Sequence, residues 1–287
     1  MLHHPTAIID PHAQLGKNVQ VGPYSVIGPH VTLGEGCQIG PHVVIEPYTL
    51  LGDGCTVGPG SVLGGLPQDY GFGGEISYVR IGNEVRIREC VTINRATGEG
   101  NATEVGSGSF LMAYSHLGHN VRLGQRVVLA NSVQLAGYVT VGDDAFIGGM
   151  CVVHQFVTIG RMTIMGGFTG TRQDLPPFAL TEGRPAEIRG INRIGLKRKG
   201  FDLGQRTRLK QAFHHLFFSS LGTATAIAHI REEISPLHQP DPNVEELIDF
   251  VLHTKRGIHR GMAFQPASDE NAAAMGNDRF EGMLVSG

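Results

Sequence analysis

The stretch "QLGKNVQVGPYSVIGPHVTLGEGCQIG", residues 14–40, carries an aliphatic residue at every sixth position: Leu15, Val21, Ile27, Leu33 and Ile39. The spacing runs back to Ile9 and on through Ile45, Leu51, Val57 and Leu63. It resumes at Ile81, Ile87 and Ile93, and again from Val105 to Met165. A period of six is neither the roughly 3.6 of a helix nor the 2 of an amphipathic strand. It is the hexapeptide signature of a parallel β-helix, in which each hexad is a short strand plus a turn and three hexads close one triangular coil. The aliphatic fills the prism, together with a small or β-branched residue two positions earlier, such as Ala13, Val19, Ser25, Val31 and Thr49. Glycine follows most of the aliphatics, as at Gly16, Gly22 and Gly28, where a turn with positive φ is the expected reason. Residues eighteen apart should stack at about 4.8 Å. Cys37 and Cys55 are such a pair, expected as core neighbours rather than a disulfide.

Composition agrees with a globular solenoid. Glycine supplies 41 of 287 residues without a G-X-Y period, which excludes collagen. A net charge of −3 gives no whole-chain signature of a nucleic-acid binder. The opening "MLHHPTAIID" has no basic region followed by an apolar run, so no signal peptide is expected. No stretch is apolar enough to span a membrane. The four cysteines form no CxxC pair, and a reduced, cytoplasmic setting is expected.

The mainly β region is expected over residues 1–188. Two Gly-rich insertions break its period, "GLPQDYGFGGEISY" at 65–78 and "NRATGEGNATE" at 94–104. A solenoid carries such insertions as loops, often on its binding face. A small α-helical C-terminal domain is expected over 189–261, because "RTRLKQAFHHLFFSS" and "VEELIDFVLHTKR" read as amphipathic helices. The polar residues 262–287 read as a flexible tail.

With "HLGHN", "GGMCVVHQF", "QDLPP" and "GLKRKGF", the chain resembles the UDP-N-acetylglucosamine O-acyltransferases, over about residues 5–260. The resemblance implies a left-handed β-helix and a homotrimer with its sites in grooves between adjacent helices. It implies transfer of a (3R)-3-hydroxyacyl chain from acyl carrier protein to the 3-hydroxyl of UDP-N-acetylglucosamine, the first step of lipid A synthesis, with no cofactor and no metal. His119 matches the family's base. Gln68, Asp69 and His116 match acceptor-sugar ligands, His154 and Gln155 lie near the thioester and sugar, and Asn192, Arg198 and Lys199 serve the nucleotide. The chain departs from the family at Asn120, where an Asp is usual and an orienter is needed. It departs also at Tyr138 for His, Gly71 for Lys, Ile194 for Glu and Lys199 for Arg.

Physical chemistry supplies independent points. Acyl transfer to a hydroxyl needs a base, and an imidazole titrates near working pH. His119, Gly137 and Gln155 are eighteen apart and should form one column, with the bare N–H of Gly137 open as an oxyanion donor. Asn131, Gly149 and Gly167 should form a second column that lines an acyl groove. Gly167 would stand about 13 Å above His119, so chains longer than about ten carbons, roughly 12–16, should fit. Residues 184–210 hold nine Lys and Arg against Glu187 and Asp202, a surface suited to a diphosphate and to acidic acyl carrier protein. Phe201 is the single aromatic among those charges, so no series of stacking rings interleaves with them and nucleic acid is not an expected partner. Three other readings stay open: N-acylation of a UDP-3-amino sugar, a non-catalytic solenoid, and a metal-dependent relative of the γ-carbonic anhydrases.

Overall fold

The computed structural model describes residues 2–259; the expected tail at 262–287 lies outside the described residues. Three sheets of nine, eight and ten strands form the walls of a prism. The chain passes from a first face (His116–Leu117) to a second (Arg122–Leu123) and a third (Val128–Leu129), then back to the first at Gln134–Leu135. Leu117 pairs with Leu135, and His116 with Gln134, in parallel register. The architecture is the left-handed parallel β-helix followed by a small helical part.

The period works as expected inside the prism. Leu33, Ile45, Leu63, Leu117 and Leu135 are fully buried, and so are the small partners Val31, Val43, Cys37 and Cys55. Both cysteines are free thiols, and each donates to a carbonyl of the next coil, Gly52 and Gly82, at 3.1 Å.

The expected reason for the recurrent glycine is corrected. Positive φ falls on the third residue after most of the aliphatics, as at Asn18, Tyr24, His30, His42 and Tyr48. The glycine directly after the aliphatic is needed for close approach. A Cβ on Gly16 would lie 2.7 Å from the backbone N of Glu35, and one on Gly22 2.7 Å from the carbonyl carbon of Gly40. The coils touch there, and only a hydrogen side chain fits.

Both insertions leave the prism at one corner. Leu63 pairs with Ile93, and Ile93 with Leu117, so the coils that carry the interruptions lie directly below the His116–Leu117 coil. The first insertion emerges between Gly65 and Tyr78 and the second between Asn94 and Ala102, where the first face turns into the second. His119 sits in the next turn up the same corner.

The β structure runs to Ile191, past the expected boundary at 188, because Glu187–Ile191 forms an antiparallel hairpin with Ala179–Glu182 that caps the third face. Four helices follow: α1 (Arg193–Arg198), α2 (Leu203–Phe213), α3 (Thr223–Glu233) and α4 (Pro242–His253). Asp202 and Gln205 form a capping box on α2, which continues into one π-helical turn, His214–Phe218. Asp241 caps α4, where proline opens the first turn. Helix α3 lacked a clear apolar stripe in the sequence, because it buries only Ala226, Ile227 and Ile230.

The helical part is fastened back to the prism. Arg161 donates to Glu246 at 2.7 Å and to Asn243 at 2.8 Å. The buried Asp174 accepts the Thr158 N–H at 2.7 Å and, through its other oxygen, Thr254 Oγ1 at 2.6 Å and the N–H groups of Lys255 and Arg256. That carboxylate holds the segment after α4 against the upper coils.

Candidate active site

A groove of about 420 Å³ opens on the first face beside the insertion corner. His119, His116, Gly137, Gln155, Gln134 and Gln68 line it, over an apolar floor that includes Leu135 and Val153. A larger groove, about 580 Å³, lies at the N-terminal end near His3 and His4. Those histidines are exposed and no insertion covers them, so the chemistry is sought in the smaller one.

His119 is gripped from one side. Asn120 Oδ1 accepts the Thr97 N–H at 2.9 Å, and Asn120 Nδ2 donates to the Thr97 carbonyl at 3.0 Å. Those two backbone bonds fix which end of the amide is oxygen. The imidazole Nδ1, 3.0 Å from that oxygen, must therefore carry the proton and donate it. Nε2 is left with a free lone pair. The backbone of residue 120 is held in turn by Thr103 Oγ1 at 2.9 Å. Asn120 thus holds the imidazole in one orientation, but brings no charge.

A carboxylate is nevertheless present. Asp69, in the first insertion, places Oδ2 at 3.8 Å from His119 Nδ1. The Gly71 N–H donates to Asp69 Oδ1 at 2.9 Å and the Thr97 hydroxyl to Oδ2 at 2.9 Å. These bonds, Gly71 first, with the nearby imidazole adding to them, hold the Asp69 carboxyl below the usual carboxylate range. Glu75 ties the two insertions together by accepting the Gly98 N–H at 2.7 Å and the Gly73 N–H at 2.8 Å.

Gly137 lies directly over the imidazole. A Cβ there would fall 2.5 Å from Cε1 of His119 and closer still to Nε2. Its N–H has no acceptor among the described residues. The free Nε2 therefore faces a glycine whose N–H is unpaired, and a base next to a free backbone donor can serve a tetrahedral intermediate. Gln155 follows in the same column. Tyr138 meets the imidazole edge-on at 5.2 Å and stacks on Phe156 at 4.9 Å.

The other expected residues divide. His116 joins the groove, with Nδ1 2.8 Å from Thr92 Oγ1, and burial pushes its pKa down. His116 and His119 thus face different partners. Among the described residues no group of three His, Cys, Asp or Glu could hold a metal ion. His154 stands exposed above the groove, 3.5 Å from the Arg256 guanidinium that Asp174 brings over.

Asn192 and Lys199 are not brought to His119 within the chain. Asn192 is buried, caps α1 through Gly195 and donates to the Met162 carbonyl at 2.8 Å. Lys199 pairs with Asp144 at 2.6 Å, where the second face turns into the third, and Arg126 shares that carboxylate. Arg198 lies exposed near the end of α1. Several charges of the basic run are also engaged locally, Arg208 with Asp241 at 2.7 Å and Arg184 with the Phe168 carbonyl at 2.9 Å.

Asn131, Gly149 and Gly167 do stack. A Cβ on Gly149 would meet the Asn131 carbonyl oxygen at 3.4 Å, and one on Gly167 the Gly149 oxygen at 3.4 Å. This column lines the corner where the third face turns into the first, so the width of the first face separates it from His119. The ten-carbon reach counted the rise alone, and any path between the two corners also crosses that face.

Thr97, Thr103 and Gln134 had no motif to mark them. Counting the interruptions would have found the first: both fall at the corner that next carries His119.

A hexapeptide prism with a loop-covered histidine under a bare backbone N–H defines a class, the hexapeptide-repeat transferases. Comparisons narrow it. A family model described as "Bacterial transferase hexapeptide (six repeats)" matches residues 12–47 and 30–65, and one described as "Udp N-acetylglucosamine O-acyltransferase; Domain 2" matches 174–259. The acyl-[acyl-carrier-protein]–UDP-N-acetylglucosamine O-acyltransferase of Anaeromyxobacter dehalogenans strain 2CP-1 is 44% identical over 261 residues, 91% of this chain and 100% of the relative. That of Burkholderia orbicola is 42% identical over 258 residues, 90% of this chain and 98% of the relative. The solved LpxA of Acinetobacter baumannii superposes with a TM-score of 0.86 at 36% identity, covering 91% of this chain and 100% of that one. The chain belongs to the UDP-N-acetylglucosamine O-acyltransferase family.

Proposed function

We propose that this chain moves a (3R)-3-hydroxyacyl group from acyl carrier protein to the 3-hydroxyl of UDP-N-acetylglucosamine, the first step of lipid A synthesis, with His119 as the general base. The observation that carries the reading is the free Nε2 of His119 beside the unpaired N–H of Gly137. Nε2 takes the hydroxyl proton as the sugar oxygen attacks the thioester carbonyl. The Gly137 N–H receives the oxyanion. Collapse breaks the C–S bond, and the imidazolium returns its proton to the departing pantetheine sulfur.

Gln68, Asp69, His116, His154 and Gln155 hold the acceptor sugar and thioester around that point. Asn192, Arg198 and Lys199 serve the nucleotide from another corner, and Asn131, Gly149 and Gly167 leave room for the acyl chain. These residues stand at separate corners of one chain, and a homotrimer with composite sites would bring a neighbouring copy's corner to His119. The free cations of α1 and α2 suit acidic acyl carrier protein. No helix among the described residues is long and apolar enough to cross a membrane, and we place the enzyme in the cytoplasm with its carrier-protein donor.

Incubation with acyl carrier protein charged with defined 3-hydroxyacyl chains, and with UDP-N-acetylglucosamine or its 3-amino analogue in turn, tests the reading. An O-acyl product from the first sugar is expected. Amide product alone, or no transfer to either sugar, would overturn it.

A further inference from the structure

We propose that Asp69 is the electrostatic positioning partner of His119, supplying from the first insertion the negative charge that Asn120 lacks. The inference rests on the reading of His119 as the base. When Nε2 takes the sugar hydroxyl proton, the ring becomes a cation whose Nδ1–H already points at Asn120 Oδ1. A neutral amide oxygen orients that cation and compensates little of its charge. The Asp69 carboxylate is 3.8 Å from the same nitrogen, too long for a hydrogen bond and close enough for a strong charge interaction. The imidazole side chain is only 12% exposed, so solvent screens the pair less than it would on an open surface.

The carboxylate is held for this role. Its two oxygens are fixed by Gly71 from its own loop and by Thr97 from the other. Thr97 also holds Asn120 through both backbone groups. One residue of the second insertion thus sets the distance between the base's orienter and its counter-charge. The remaining groups around the ring do not replace Asp69. Tyr138 presents a ring edge from the coil above, and His116 turns its Nδ1 to Thr92. Glu75, beyond Asp69, spends its oxygens on Gly98 and Gly73. Among the described residues no other carboxylate lies within ion-pair distance of His119.

The step stays balanced without any further reactant. The proton leaves the sugar oxygen for Nε2, the new C–O bond forms, the C–S bond breaks, and the proton leaves Nε2 with the sulfur. Asp69 remains ionised throughout and changes only the stability of the imidazolium between the two transfers.

The test is Asp69→Asn, alone and combined with Asn120→Asp, read as pH profiles of kcat/KM and kcat. A carboxylate at this range favours the imidazolium that forms as the sugar hydroxyl is deprotonated. Asp69→Asn should therefore move the acid limb of the rate profile to lower pH and cut kcat about 10–100-fold. A loss of sugar binding would raise the UDP-N-acetylglucosamine KM without moving the limb. In the double variant, Asn120→Asp should restore the limb and most of kcat, because it returns a carboxylate to Nδ1, while leaving any KM defect in place. An unmoved limb in Asp69→Asn, or no rescue by Asn120→Asp, overturns the proposal. If Asp69→Asn fails to fold by circular dichroism, Thr97→Val, which removes only the hydroxyl from Oδ2, should show a smaller shift in the same direction; no shift there counts against it. A wild-type profile without any acid limb would instead sink the reading of His119 as base.

Discussion

One corner of the prism reads differently at its two ends. Where the first face turns into the second, the residue two past the inward aliphatic is Pro11, Pro29 and Pro47 in the lower coils and His119, Gly137 and Gln155 in the upper ones. In the upper coils the N–H at this position makes no hydrogen bond among the described residues. The ladder does not need that donor, so proline is tolerated below at no cost. Above, the same unused donor is kept and exposed under a glycine. The opposite edge of the first face repeats the contrast, with Pro23, Pro41 and Pro59 below and Asn131, Gly149 and Gly167 above. Under the proposed reading, a solenoid turns a spare backbone group into a catalytic one by changing a single residue type per coil.

Histidine and carboxylate occur at both heights, so they do not make the site alone. His12 Nδ1 lies 2.9 Å from Asp10 Oδ1, closer than His119 lies to Asp69, yet the His12 side chain is 71% exposed against 12% for His119. No insertion covers the lower pair and no glycine N–H stands over it. The sharpest test of the comparison is His119→Ala beside His12→Ala. Losing a positioned base should cost roughly 10²–10⁴-fold in kcat, whereas His12→Ala should leave kcat unchanged. Both side chains point outward from a self-supporting coil, so circular dichroism and assembly mass should match wild type in each. More than about a tenth of activity retained by His119→Ala would contradict the assignment.

The sequence carried the prism and the two columns, because each depends on a fixed count along the chain. A stack such as His119 and Gly137 follows from the number eighteen, and parallel register makes the count exact in space. The contacts that complete the site have no period. Thr97 reaches Asn120 across 23 residues and Asp69 across 28, from one irregular loop to another. Asp174 binds Thr254 across 80, so the approach of Arg256 to His154 could not be counted either. Asn192 is the opposite case: a motif resemblance marks it for the nucleotide, while its place as a buried helix cap, bonded to Gly195 and Met162, carried no sequence signal of its own.

The upper end of the second corner offers a smaller effect. A Cβ at Gly167 would meet nothing nearer than the Gly149 oxygen at 3.4 Å, whereas one at the adjacent Gly148 would fall 2.6 Å from the Gly167 nitrogen. Position 167 therefore accepts a side chain without disturbing the coils. Gly167→Met should keep the fold and fill the proposed acyl groove, which shortens the preferred chain by a few carbons. Overpacking a fitted groove costs about 1–3 kcal/mol, or roughly 5–150-fold in relative kcat/KM between long and short donors. A competition assay with mixed charged carrier proteins reads that ratio directly. An unchanged preference would place the acyl chain elsewhere.

The smallest expected difference between the two ends is in how each responds to acid. At the lower end, the His12 backbone and ring donate to Asp10 and hold its carboxyl below the ordinary 3.8. A depressed carboxyl pKa contributes stability above that value and loses it only as pH falls through the folded pKa. At the upper end, burial holds His116 below the ordinary 6.5. Here the unfolded chain takes up a proton first as pH drops. The native state therefore keeps its full stability above about 6.5 and loses some of it below, in a window the lower pair does not touch. His116→Gln keeps a partner for Thr92 Oγ1 and removes the titration. Thermal melts between pH 7.5 and 5.5 should show a decline for wild type that is shallower in His116→Gln. Parallel curves would mean that His116 charges in the native groove as readily as in the unfolded chain, and that the upper corner is wetter than its lining suggests.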